Sequence, residues 1–197
     1  FDVITLIGVL EYANMFTGGD NPTLTMLSRV RTLLKPGGQL IVAIENQLGL
    51  KYFAGAPEDH LGRPMIGIEG RYRDDQPHTF GRQVLTDLLK QAGFAAAEFL
   101  APFPDYKLPV SIVTEPGFAD PQFDAAALAW QSALRDPQLP AECNFSLELA
   151  FPQLIANGLG MDVANSFLIA ASPTPRASVA GDTLAFMLAR RGMLRSG

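Results

Sequence analysis

An α/β fold with adjacent parallel strands is predicted by three features: two short apolar runs, an amphipathic segment between them, and the Gly- and Pro-rich breaks that bound all three. Val3-Ile4-Thr5-Leu6-Ile7 is almost wholly apolar and stops at Gly8, and Leu40-Ile41-Val42-Ala43-Ile44 repeats the pattern after Lys35-Pro36-Gly37-Gly38. Apolar runs that do not alternate are the mark of strands covered on both faces. Between them Leu24, Leu27, Val30 and Leu34 recur at helical spacing. Asp20 or Asn21 can cap this helix, Pro22 sits near its first turn, and Arg29, Arg31 and Lys35 lie toward the end where the dipole favours cations. A strand, helix and strand within about 45 residues form a βαβ unit whose right-handed crossover leaves the strands parallel. Open α/β sheets bind ligands beyond the carboxyl ends of their strands, so Ile7 to Tyr12 and Glu45-Asn46 are placed on one rim.

From Gln47 to His78 the periodicity dissolves into glycine, proline, charge and single aromatics. A connection of about 30 residues is far longer than usual, and such segments, when ordered, are commonly lids or binding loops. Thr79 is placed to cap the next helix, with Val84, Leu85, Leu88, Leu89 and Ala92 as its buried stripe and Gly93 as its stop. Ala95 to Leu100 reads as a third strand, and Pro102, Pro104, Pro109 and Pro116 make the stretch beyond it extended and irregular. A helix is expected over Pro121 to Leu134, with Phe123, Ala127, Trp130 and Leu134 inward. Less regular helix is expected over Ser146 to Asn157, and a last strand over Ser166 to Ala171. After the loop from Pro173 to Gly181, the apolar pattern resumes at Asp182 as if another element were beginning.

A chain of 197 residues has room for one main core. No apolar stretch approaches the roughly 20 residues that cross a bilayer, and the N-terminus lacks the order of a signal peptide, so a cytoplasmic location is the expectation. A net charge of -5 disfavours a broad nucleic-acid or anionic-membrane surface. Cys143 is the sole cysteine and is expected to be a packed thiol. With two histidines and no ligand-spaced cluster beside it, no metal is expected. Because Phe1-Asp2-Val3-Ile4 reads as a buried strand entered at its first residue, a preceding segment is expected as well.

The stretch Phe1-Asp2-Val3-Ile4-Thr5-Leu6-Ile7-Gly8-Val9-Leu10-Glu11-Tyr12, followed by Leu33-Leu34-Lys35-Pro36-Gly37-Gly38-Gln39-Leu40-Ile41-Val42, resembles the fourth and fifth strand motifs of class I, Rossmann-like S-adenosylmethionine-dependent methyltransferases. The likeness covers Phe1 to Leu100 and Ser166 to Ala171. The run from Ile44 to Gly62, with Phe103-Pro104-Asp105-Tyr106-Lys107-Leu108-Pro109, is similar to a narrower subgroup: bacterial methyltransferase domains found beside glycosyltransferases in polysaccharide and O-antigen assembly proteins. The resemblance implies a partial Rossmann-like sheet, parallel strands with a C-terminal antiparallel one, flanked by helices. Residues 1–172 would form the C-terminal part of the domain, with 47–79 and 102–165 inserted on the acceptor side, and 173–197 a linker and the start of a following element. The family's glycine-rich loop and ribose-binding acid belong to its first two strands, so the upstream half of the domain is an implied partner and a fused glycosyltransferase a further one. The implied reaction is O-methylation of a saccharide in bacterial surface-glycan synthesis. The rivals are a non-catalytic domain that scaffolds a glycosyltransferase and a nucleotide-binding oxidoreductase or sugar transferase.

By the same resemblance Ile7 lies against the cofactor, S-adenosylmethionine, with Leu6, Gly8 and Val9 flanking it and Glu11 on the same side. An ordinary strand end closed by a glycine explains these residues equally well. Glu11 and Tyr12, the latter where the family usually has His, either face the acceptor or cap the next segment, and Glu45 and Asn46 either face the cleft or mark a strand-to-loop transition. A sugar hydroxyl needs a base, and His60, with an ordinary pKa of about 6.5, is the first candidate. Glu58 and Asp59 could orient or replace it, and His78 is a weaker substitute; a solvated turn is the plain alternative. Tyr52, Phe53, Tyr72 and Tyr106 are candidates to stack on sugar rings or to pin the loop. Arg63, Arg71 and Arg73 are candidates to hold a phosphate or carboxylate on the acceptor.

Overall fold

β1 (Val3–Ile7) and β2 (Gln39–Glu45) lie side by side and parallel, Leu6 opposite Val42, in a computed structural model that describes residues 1–188. The link between them is a 3-10 turn over Leu10–Tyr12, the one-turn helix α1 (Ala13–Phe16) and α2 (Pro22–Leu33). Asn21 caps α2, its Oδ1 accepting from the Leu24 amide at 3.0 Å, and Leu27 and Val30 carry the helix into the core.

After β2 the chain forms α3 (Leu50–Phe53), a long loop, α4 (Arg82–Gln91), β3 (Ala96–Phe103), β4 (Ser111–Val113), α5 (Glu115–Ala119), α6 (Ala125–Ala133), α7 (Leu147–Ala156), β5 (Ser166–Ser172) and β6 (Ala185–Met187). The sheet order is β1-β2-β5-β3-β4-β6. β5 enters antiparallel between β2 and β3, so that Ile169 faces both Val42 and Phe99 across the ladder. The fold is α/β, with parallel β1 and β2, a C-terminal antiparallel β5, and helices around the sheet. Its centre is fully buried at Leu40, Val42, Ile44, Phe167 and Ile169, and Phe99 meets Phe167 edge to face at 5.3 Å.

Several local expectations change for identifiable reasons. β1 is an edge strand: Val3 and Ile7 are about half exposed, at 55% and 50%, rather than covered on both faces. Thr79 does not cap α4, because its hydroxyl is bonded to that of Tyr72 at 2.5 Å; Gly81 takes the cap position without a side-chain bond. α6 starts at Ala125 under the cap of Asp124 and buries Ala125, Ala129, Ser132 and Ala133, leaving Leu134 61% exposed. The small residues lie deepest where α6 packs against α7, β3 and β4, while Phe123 and Trp130, expected inward, pack against the core as partly buried side chains. Cys143 is exposed in the connection before α7 and is no packed thiol. The proline-rich stretch holds β4, an antiparallel partner of β3.

The segment read as a linker and a following element carries β6, which pairs with β4 through Ile112 and Phe186; residues 189–197 of that segment lie outside the described residues. Among the described residues no helix is long and apolar enough to cross a membrane. β6 is tied down by Thr114, whose amide donates to the Leu184 carbonyl at 3.1 Å and whose hydroxyl donates to the Thr183 carbonyl at 2.7 Å. Gly117 makes this approach possible, since a Cβ there would stand 2.0 Å from the Leu184 carbonyl oxygen. Gly117→Ala should therefore cost about 1–3 kcal/mol in urea unfolding through overpacking and speed proteolysis between residues 176 and 188. Unchanged stability and cleavage would show that β6 is not held here.

Candidate active site

Four strand ends converge on one rim. Glu11 and Tyr12 follow β1, Glu45 and Asn46 end β2, Pro104 to Lys107 follow β3, and Asn165-Ser166 begin β5. The long loop is folded over them. Its far end returns to β1 through the His78 amide, which donates to the Glu11 carbonyl at 2.8 Å. Its start is fixed by the side chain of Asn165, which accepts from the Lys51 amide at 3.1 Å and donates to the Pro104 carbonyl at 3.1 Å.

Lys51 is the buried anchor of this arrangement. Its side chain is entirely inaccessible, and its ammonium lies 3.1 Å from Asp59, 3.3 Å from Asp105 and 3.9 Å from Asp136, and donates to Gln138 at 2.7 Å. One cation thereby joins the loop, the turn after β3 and the segment after α6. Burial works against the Asp59 carboxylate, but Lys51, the Tyr52 hydroxyl and Lys107 overcome it and hold the group at about 2. Asp105 moves the other way, its burial outweighing both lysines. Lys107, half exposed, bonds Glu45 and lies 3.2 Å from Asp59. Burial disfavours its charge, but Glu45, Asp105 and Asp59 more than compensate and push its pKa up.

A second cluster sits beside it. Glu11 is 1% exposed and Glu45 0%, and an oxygen of each lies with a nitrogen of His60 in a group whose atoms are all within 4.8 Å of one another. Burial raises the Glu11 carboxyl to about 8, and Glu45 adds to the shift. Glu58 turns back on its own segment: it accepts from the His60 and Leu61 amides at 2.9 and 2.7 Å and from His60 Nδ1 at 3.0 Å. Tyr12 packs edge-on against the His60 ring, with centroids 5.4 Å apart. Burial lowers the His60 pKa, but the Glu58 bond and the surrounding carboxylates win, and the net shift is upward.

Of the residues singled out from sequence, Glu11, Tyr12, Glu45, Glu58 and His60 meet in this cluster. Asp59 belongs instead to the Lys51 pair and does not touch His60 through any hydrogen bond. Asn46 is spent on structure, donating to the Asp162 and Ala164 carbonyls at 2.7 Å each and accepting from the Leu48 amide. Tyr52 is buried with its hydroxyl on Asp59, and Tyr72 has its hydroxyl on Thr79, so both pin the loop rather than present a ring to a ligand. Arg71 and Arg73 are exposed and paired locally with Glu69 and Asp75. His78 is engaged at both nitrogens, by Asn14 and the Arg73 carbonyl. Leu6 is in the core, while Ile7 and Val9 are open on the β1 edge. Gly8 does permit a close approach at φ +61°, but what approaches is Tyr106, whose hydroxyl would stand 2.8 Å from a Cβ there.

Sequence reasoning passes over Lys51, Asp105, Lys107 and Gln138 as members of the rim: the first three lie in the runs that carry the narrower resemblance, but nothing in those runs shows that distant carboxylates and a lysine will meet. A cavity of about 410 Å³ opens next to this set, lined by Pro104, Lys107, Leu108, Arg135, Pro137 and Gln138.

No protein-family model matches the chain, and no curated protein matches it significantly. Among solved structures it is similar to a Thermotoga maritima SAM-dependent methyltransferase described as a possible histamine N-methyltransferase, with TM-score 0.44 and 14% identity over 88% of this chain and 56% of that one. It is also similar to Haemonchus contortus phosphoethanolamine N-methyltransferase 2. In the complex with phosphomonomethylethanolamine and S-adenosylhomocysteine the TM-score is 0.38, with 13% identity over 88% of this chain and 34% of that one. In the complex with S-adenosyl-L-methionine the values are 0.36, 13%, 89% and 34%. The chain thus spans 56% of the first protein's length and 34% of the second's.

Replacing Lys51 by Met keeps the volume, removes the one cation paired with Asp136 among the described residues and leaves Asp59 and Asp105 with Lys107 alone. Breaking a buried pair in this way is expected to cost about 3–5 kcal/mol, read as a lower denaturation midpoint, and a loss under about 1 kcal/mol would remove Lys51 from its anchoring role. Asp59 supplies a pH test. Its folded pKa lies below the unfolded value of about 3.9, so its contribution is complete above that value and is lost as pH falls toward 2. Asp59→Asn should be less stable than wild type by on the order of 2 kcal/mol at pH 6, with the gap closing between pH 4 and 2. Because Asp105 works in the opposite sense, the wild-type-minus-variant difference is the quantity to measure; a gap constant with pH would count against the ion pair.

Proposed function

We propose that the chain is the C-terminal part of an S-adenosylmethionine-dependent methyltransferase domain acting on a saccharide hydroxyl in bacterial surface-glycan synthesis. The observation that carries the reading is the convergence of Glu11, Glu45, Glu58 and His60 at the exits of two parallel strands, the positions that the sequence resemblance assigns to cofactor and acceptor. An acidic rim suits a sulfonium, which is the methyl donor's reactive charge. The cofactor supplies both electrophile and leaving group, so the protein's tasks are alignment and removal of the acceptor proton.

His60 is the group placed for that proton. Glu58 fixes the ring through Nδ1 and leaves Nε2 to receive it. With the cofactor bound, its sulfonium would supply the methyl group and leave as the thioether, and His60 would take the proton released by the acceptor hydroxyl. The cavity beside Lys107 and Arg135 is the proposed acceptor seat; Asp105 and Asp136 line it as well, so its mixed charge suits the hydroxyls of a sugar. The open apolar edge of β1 is the proposed meeting line with the upstream half of the domain, where the family's cofactor loop would lie.

Labelled methyl transfer by the whole protein to glycan acceptors tests the reading. His60→Asn should lower kcat/KM by about 10²–10⁴-fold with cofactor affinity retained. Cofactor binding without turnover on any saccharide would remove the substrate class. A whole protein that binds no cofactor would favour the scaffolding role beside a glycosyltransferase.

A further inference from the structure

The Glu11–Glu45–His60 cluster has more acceptors than its surroundings can satisfy. Both carboxylate oxygens of Glu11 and Oε2 of Glu45 are buried without a hydrogen-bond partner. A proton shared between the two carboxyls would serve one oxygen of each and still leave a Glu11 oxygen bare, which is costly at 1% exposure. The neighbouring group of Glu45, Asp59 and Asp105 differs, because Lys51 and Lys107 already lie among its carboxylates.

We propose that Glu11, Glu45 and His60 bind a divalent transition-metal ion of the manganese or zinc type. Two carboxylates and one imidazole match that class better than magnesium or calcium, which favour all-oxygen surroundings. The supporting parts are in place. Lys107 holds Glu45 and leaves its Oε2 free, and Glu58 engages His60 Nδ1, the carboxylate–histidine arrangement that orients a ligating ring. Three protein donors leave open positions, as in sites where water or substrate completes the shell. The cluster escapes sequence inspection, which leads to the expectation of no metal, because its members sit at positions 11, 45 and 60 and meet only when β1 and β2 pair.

This inference does not rest on the methyltransferase reading, since ion binding is measured without cofactor or acceptor. With the ion bound, the His60 imidazole would be a ligand and would not be free to act as the base.

The test is titration of the chelator-treated protein with MnCl2, read by loss of the free-ion EPR signal, and with ZnCl2, read by calorimetry. One ion per chain is expected. Glu11→Gln, Glu45→Gln and His60→Asn should each weaken binding at least tenfold, and Glu58→Gln, which acts through His60, by about 10–100-fold. Without metal, Glu11→Gln should melt no lower than wild type, because it removes one of two facing carboxylates, whereas only wild type should gain thermal stability when the ion is added. Wild-type affinity weaker than about 1 mM for both ions, or binding undiminished in Glu11→Gln and His60→Asn, overturns the proposal. Ion binding without methyl transfer sinks the activity reading alone, and methyl transfer without ion binding sinks this one alone.

Discussion

The buried ammonium of Lys51 is the constraint on which the rim depends. Three segments remote in sequence, at Asp59, at Asp105 and at Asp136 to Gln138, approach one point that excludes water. Without the cation their carboxylates would repel one another in a medium that cannot screen them. The attraction therefore sets the path of the long loop as well as its stability. It presses Tyr52 onto Asp59 and sends Glu58 and His60 back over the ends of β1 and β2. A hydrophobic anchor could hold the loop down, but it would not select this register, because only the carboxylates distinguish one docking of the loop from its neighbours.

Once the loop is fixed, charge is separated into two compartments. Asp59 and Asp105 are matched by Lys51 and Lys107, whereas both oxygens of Glu11 and Oε2 of Glu45 are buried without a hydrogen-bond partner, even though Lys107 holds the other Glu45 oxygen. The first compartment is charge-paired, with Oδ2 of Asp136 held only by the charge of Lys51 at 3.9 Å. The second is under-satisfied, and buried groups without partners cost stability unless a ligand or function accounts for them. That imbalance separates a site from an ion-pair network on the same rim.

The βαβ unit is legible in the sequence because it depends on local pattern: apolar runs at Val3–Ile7 and Leu40–Ile44 with an amphipathic helix between them leave few ways to fold. The rim follows from the same rule, which places Glu11, Tyr12, Glu45 and Asn46 there; His60 stands out in the long loop only for its imidazole, and its arrival at the rim is a tertiary matter. Their roles are less accessible. Asn46 and Tyr72 have the residue types of a binding site, yet each has its hydrogen bonds taken by the loop it holds, and which partners reach them is a tertiary matter. Lys51 and Lys107 look like ordinary solvated lysines because no local pattern records that carboxylates from distant segments will surround them. α6 misleads in part: Trp130 packs against the core as its spacing suggests, but Leu134 is turned out, and the most deeply buried positions are Ala125, Ala129 and Ala133.

Gly8 shows how a correct local inference can serve a different end. Its left-handed backbone and missing side chain suggest room for a ligand against β1; the approach is instead filled by Tyr106, positioned by its amide bond to Ser166 Oγ at 2.9 Å. The glycine is therefore required for closure between β1 and the turn after β3, whether or not a ligand is bound. Tyr106 covers the inner side of the strand end, while Ile7 and Val9 remain open on the outer side. The close contact at Gly8 thus ties β1 to the turn after β3 while leaving the apolar edge of β1 open.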